Sequence, residues 1–402
     1  MTGILLLCAC CLHAPDARER LFSPRYVAFV SMSAAIITAC YLWYLAVPHA
    51  NASLDLEKSG TNNFLFFMLL LMFLATFAAL IETRLDEITA TVSALLVLHC
   101  ATLLFQTAML VATKHYIDFI KPITGEASRY ENYVSVNPVF AFRPTGLYVE
   151  PSTFAAAAST MAVGYILLSR ARGRAPSMLL IALTIVSMLI TQSAAAVVQT
   201  AVLIAAVMLT HTRRARALAT VAVTLIAVAA PGLIVAYFDS FLLKFNGDSG
   251  MRFALMSYVF QLRHGWDYVF GYGPFSLEYD LFALSGNKGG TPSVASLNDS
   301  GVLVFFVVQL GVVGLAIPAA IFLRMRKDLG TVCFFCLLMT TKLSYTAPIL
   351  YIGLLPIIMR LGTPPRMDVT PAQNLALPDA GRGGHPFRAR LPIHDNSQGG
   401  SP

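Results

Sequence analysis

The sequence predicts an all-α, polytopic integral membrane protein, and three observations carry that prediction. Apolar residues make up 57% of the 402, and charged residues only 12%. A soluble domain carries about 25% charged residues, so an ordinary soluble globule is excluded, and so apolar a chain is not a disordered one. The apolar residues also fall in runs of roughly 20, the length that crosses a bilayer core as a helix. Finally, the basic residues collect in alternate gaps between those runs.

Taken in order, residues 1–12 make half a span and read as a first helix truncated by a start codon placed too far downstream. Full or short spans follow near 26–48, 64–81, 88–113, 152–169, 177–191, 194–210, 217–238 and 300–323. The stretch 331–361 is apolar but interrupted by Lys342, Pro348 and Pro356, and reads as a short helical hairpin. Lys342 is then expected to be a loop residue between the two arms. The total is about 10–11 transmembrane segments. Residues 1–361 form one transmembrane unit, and 362–402, rich in Pro, Gly and Arg without apolar periodicity, is expected to be a disordered cytoplasmic tail.

Five short gaps hold Arg18, Arg20 and Arg25; Arg84; Arg170, Arg172 and Arg174; Arg213, Arg214 and Arg216; and Arg324, Arg326 and Lys327. With the tail and Arg360 just before it they contain 18 of the 28 Lys and Arg. Excess Lys and Arg marks the cytoplasmic side. The net charge of +7 is therefore mainly an orientation signal, and no basic patch for nucleic acid remains. No cytoplasmic gap is long enough for a nucleotide site, and no Gly-rich phosphate loop is present. Chemistry is expected on the outer side. All seven cysteines lie in apolar stretches, so no disulfide framework is implied, and Cys333-x-x-Cys336 reads as packing.

Two outer gaps are long, 114–151 and 239–299. They hold Tyr116, Tyr130, Tyr133, Tyr148, Tyr258, Trp266, Tyr268, Tyr272 and Tyr279. Some such rings anchor at the lipid interface. Others, Tyr148, Trp266 and Tyr272 foremost, offer flat amphipathic faces suited to sugar rings. The first loop ends in Phe142-Arg143-Pro144-Thr145-Gly146-Leu147-Tyr148-Val149-Glu150-Pro151. Pro144 and Gly146 predict a turn, and Pro151 a helix start with Glu150 placed to cap it. The second loop has Asp248-Ser249-Gly250-Met251-Arg252, then Arg263-His264-Gly265-Trp266 and Gly271-Tyr272-Gly273-Pro274. Arginines gathered outside a membrane need an anion, and a lipid pyrophosphate suits their bidentate geometry.

Three pieces resemble the bacterial polysaccharide polymerase and O-antigen ligase superfamily, with the exopolysaccharide repeat-unit polymerases closest. They are Arg143-x-x-Gly146-Leu147-Tyr148-x-Glu150-Pro151; Ser249-x-x-Arg252 with Gly271-x-Gly273; and Asn298-Asp299-Ser300-Gly301 before a span containing Gly311 and Gly314. The resemblance implies a GT-C-like glycosyltransferase of the bacterial inner membrane, active at its periplasmic face. It would join undecaprenyl-pyrophosphate-linked oligosaccharide repeats into exopolysaccharide or O-antigen. Arg252, then Arg143 and Arg263, would hold the pyrophosphate; Tyr148, Trp266 and Tyr272 would contact sugar. Asp299, Glu150 and His264 are the catalytic candidates, with Glu278 and Asp280 behind them. The family's ligases place His-Asn where this chain has Leu297-Asn298, which weakens the ligase alternative. A lipid-linked sugar flippase is the other alternative, against which stand the absence of an internal repeat and the long aromatic loops. Beyond membrane lipid, the implied partners are the lipid-linked glycan, a chain-length co-polymerase and export machinery. No cofactor or metal is called for, since pyrophosphate is already a good leaving group. Asp55-Leu56-Glu57 reads as a solvated acidic turn.

Overall fold

The computed structural model describes residues 2–46, 54–132, 142–210, 265–271, 273, 275, 301–325 and 328–361. Among these residues every element is helical. The helices are α1 (Thr2–His13), α2 (Pro15–Leu21), α3 (Pro24–Ala46), α4 (Leu54–Thr83), α5 (Leu85–Thr113) and the single turn α6 (Lys121–Thr124). Then come α7 (Pro151–Ala171), α8 (Met178–Ile190), α9 (Ala194–Thr210), the single turn α10 (Asp267–Phe270), α11 (Val302–Gly314), α12 (Ala316–Met325), α13 (Leu329–Met339) and α14 (Pro348–Ile358).

Among the described residues four helices are long and apolar enough to cross a membrane: Pro24–Ala46, Gly60–Thr83, Leu85–Thr113 and Pro151–Ala171. Helices α8, α13 and α14 are apolar but only 11 to 13 residues long, roughly 20 Å at 1.5 Å per residue. The hairpin expected at 331–361 is present as α13 and α14. The run 300–323, expected as one span, is broken instead. Gly311 leaves helical geometry (φ 62°, ψ −156°), and Leu315 separates α11 from α12. The expected span 217–238 and the tail 362–402 lie outside the described residues.

Helix α7 is the centre of the bundle. It is buried along almost its whole length and packs on α5, α8, α9 and α14. Small residues make that possible. A Cβ on Gly164 would lie 2.5 Å from the Ile352 carbonyl oxygen, and one on Gly353 would lie 2.9 Å from that of Thr160. So α7 and α14 cross almost backbone to backbone, as glycine allows between membrane helices. Helix α3 sits at the opposite extreme. Its Val27, Phe29, Met32, Ile36, Leu42 and Trp43 are exposed, a surface that lipid rather than water suits.

The bundle has two chemically different ends. At one, Arg20 pairs with Glu82, Arg84 with Asp16 at 3.3 Å, and Arg172 with Asp86. These arginines come from three of the gaps that the sequence expects on the cytoplasmic side. At the other end of α5 and α7 stands the first long loop, with its residues 114–132 and 142–150 described.

Candidate functional site

Loop 1 is assembled on a single amide. Gln106 lies near the end of α5 and is buried. Its Oε1 accepts the backbone N–H groups of Thr145 and Gly146, each at 2.9 Å, and its Nε2 donates to the Ile117 carbonyl at 2.7 Å. One side chain therefore ties the start of the loop to its end. A hydroxyl cluster extends the tie. Tyr116 bonds Ser128 at 2.9 Å and Thr145 at 2.5 Å, while Asp118 accepts the Ser128 N–H at 2.7 Å. Burial pushes the Tyr116 phenol above its ordinary range, and its hydroxyl partners offset part of that rise. Tyr130 stacks on Tyr116 with ring centres 3.9 Å apart, and Phe142 meets Tyr130 edge-on at 5.0 Å.

The turn expected at Pro144 and Gly146 is present. Gly146 adopts φ 63°, and the Tyr148 N–H returns to the Thr145 carbonyl at 3.2 Å. A Cβ on Gly146 would come within 3.0 Å of Phe154, so this turn lies hard against α7. Arg143 is buried, and its Nε donates to the Thr191 carbonyl at 3.2 Å. It thereby binds loop 1 to the corner between α8 and α9. Tyr148 is half-buried against Phe154 and His99, and burial pushes its phenol upward.

Glu150 differs from expectation. Pro151 does open α7, and Glu150 occupies the N-cap position, but its carboxylate makes no capping bond. Its Oε2 pairs with Lys342, and its Oε1 accepts from Arg129 at 3.1 Å. Ser152 donates to Oε2 at 3.4 Å, and Lys342 also reaches the Ser152 hydroxyl at 3.3 Å. Lys342 is thus more than a turn residue between two hairpin arms. Its side chain is 9% exposed, whereas Arg129 is 56% exposed. The ammonium is therefore committed to the carboxylate inside the protein, and the guanidinium remains open to solvent.

Of loop 2, Trp266 is 74% exposed, with Phe270 beside it at 5.9 Å. Gly271 (φ 71°) presses against the break in α11: its Cβ would lie 2.3 Å from the Gln309 carbonyl oxygen and 2.6 Å from the Gly311 nitrogen. The Gly273 N–H donates to the same Gln309 carbonyl at 2.9 Å. Here two pieces of the sequence pattern, Gly271-x-Gly273 and the span with Gly311, touch. Phe275 is buried among Tyr41, Tyr44 and Phe67. Tyr44 is therefore a buried contact, while its neighbour Trp43 is exposed. The Tyr345 hydroxyl donates to Gln309 Oε1, and Phe306 stacks on Tyr345 at 4.8 Å.

Arg252, Arg263, His264, Tyr272, Glu278, Asp280 and Asp299 lie outside the described residues. Among the described residues no group of three His, Cys, Asp or Glu is placed to hold a metal ion. Sequence reasoning missed Gln106, Arg129, Gln309 and Tyr345. The signal for the two amides is their position in otherwise apolar helices, where a polar side chain needs a partner. No protein-family model matches the chain, and neither a curated protein nor a solved structure matches it. What the described residues define is an all-helical arrangement with four helices long and apolar enough to cross a membrane.

Proposed function

We propose that this protein is an inner-membrane glycosyltransferase that joins undecaprenyl-pyrophosphate-linked oligosaccharide repeats at the periplasmic face. One observation carries the reading. The segment 143–150, with Arg129, Lys342 and the tyrosines Tyr116, Tyr130 and Tyr148, is built into one polar platform at an end of an apolar bundle. Such a platform suits a substrate that is half lipid, half charged sugar.

In the proposed reaction an acceptor hydroxyl of one repeat attacks the anomeric carbon of the chain on a second lipid. The new glycosidic C–O bond forms as the C–O bond to pyrophosphate breaks. The pyrophosphate leaves with the electron pair, and Arg252, Arg143 and Arg263 offset its charge. The acceptor proton goes to a base. Glu150, with both oxygens engaged by Arg129, Lys342 and Ser152, suits positioning better than proton transfer. Asp299 and His264 then lead as base candidates, and Trp266 and Tyr272 remain sugar contacts.

The test supplies lipid-linked repeats to the purified protein in detergent. A ladder of products is expected, and Arg252→Ala should abolish it while single repeats persist. No ladder from the parent with competent substrate overturns the reading. Transfer only to a different lipid acceptor would make it a ligase, and lipid flipping without a ladder would make it a carrier.

A further inference from the structure

We infer that the connection between α13 and α14, residues 340–347, is a bridge that fixes the two outer loops relative to each other, with Lys342 and Tyr345 as its positioning residues. The inference rests on the polymerase reading only for what the loops bind.

Lys342 grips the exit of loop 1 through Glu150 and the first turn of α7 through Ser152. Three positions later, Tyr345 donates to the side chain of Gln309. The main-chain oxygen of that same Gln309 accepts the N–H of Gly273 in loop 2. A continuous path therefore runs from Glu150 through Lys342, Tyr345 and Gln309 to Gly273. The connection is no surface turn. Leu343 and Tyr345 are each 6% exposed. The Tyr351 hydroxyl donates to the Tyr345 carbonyl at 2.7 Å and pins the backbone at the second grip. Burying an ammonium is costly without an ion partner, so placing Lys342 here is unfavourable unless it links to something. What it links is the carboxylate at the exit of loop 1.

The consequence is preorganisation. Loop 1 carries Arg143 and Tyr148, and loop 2 carries Arg252, Arg263 and Trp266. Two substrates held on separate loops react only if the loops keep one arrangement, and a displacement of about 1 Å can cost a hundredfold in rate. A buried bridge tied to Glu150 on one side and, through Gln309, to Gly273 on the other provides that arrangement without touching substrate.

The test places spin labels at two exposed positions, Ile123→Cys in loop 1 and Trp266→Cys in loop 2, in a full chain whose seven native cysteines are replaced. A narrow distance distribution is expected. Tyr345→Phe, which removes one hydroxyl, and the neutral double variant Lys342→Met with Glu150→Gln should each broaden it. Lys342→Arg should keep it narrow. In the unlabelled protein the same loosening variants should lower kcat about tenfold or more with little change in KM, and Lys342→Arg should restore kcat. Distributions in Tyr345→Phe and the double variant as narrow as the parent's would overturn the bridge. A parent that makes no ladder would overturn the polymerase reading instead, leaving the distance result to judge the bridge alone.

Discussion

Lys342 pairs with Glu150 across 192 positions of sequence, at the loop 1 end of the crossing between α7 and α14. Both side chains are about nine-tenths covered. Removing one partner of such a pair leaves an uncompensated charge and costs about 3–5 kcal/mol. Arg129 stays beside Glu150, so Lys342→Met should fall at the lower end of that range. Adding Glu150→Gln should recover most of the loss, because neither charge is then stranded. The midpoint of thermal unfolding in detergent reads both steps. A double variant no more stable than Lys342→Met alone would mean the pair is incidental.

Gln106 closes loop 1 with three hydrogen bonds to backbone groups. Gln106→Leu keeps nearly the same volume and strands the N–H groups of Thr145 and Gly146 and the carbonyl of Ile117. Each stranded buried group costs about 1–3 kcal/mol. The prediction is local opening: loop 1 should become sensitive to limited proteolysis near residues 121–129 while the helical circular dichroism is unchanged. Resistance equal to that of the parent would show that the hydroxyl cluster of Tyr116, Ser128 and Thr145 suffices.

Gly271 and Gly273 both have positive φ, yet only Gly271 is crowded. Alanine at Gly273 meets nothing within 4 Å and should cost only the left-handed strain, about 1–2 kcal/mol. Alanine at Gly271 would carry the same strain and also strike the Gln309 carbonyl. Gly271→Ala should therefore lower the unfolding midpoint clearly more than Gly273→Ala. Equal shifts would contradict the backbone contact with the break in α11.

What the sequence made legible was local. Runs such as 26–48 and 88–113 announce their helices because lipid demands a long apolar stretch, and Pro144, Gly146 and Pro151 announce a turn and a helix start because their backbones permit little else. Pairings between distant segments left no such mark. Glu150 before a helix reads as a cap, and only the folded chain brings Lys342 to it. The break at Gly311 was hidden for the same reason. A glycine inside an apolar run is compatible with a straight helix, and only the fold shows its φ of 62° where Gly271 comes against it.

The two ends of the bundle make orientation testable. Arg20, Arg84 and Arg172 gather with Glu82, Asp16 and Asp86 at one end, and loop 1 occupies the other. Excess Lys and Arg predicts that the first end faces the cytoplasm. Ile123 is exposed in loop 1, and Arg174 is exposed after α7 at the arginine end. In a chain cleared of its native cysteines, Ile123→Cys should react with a membrane-impermeant thiol reagent on intact spheroplasts. Arg174→Cys should react only after permeabilisation. The opposite pattern would invert the protein and place loop 1 in the cytoplasm. Lipid-linked repeats presented at the periplasmic face could not reach it there, so the polymerase reading would fail along with the orientation.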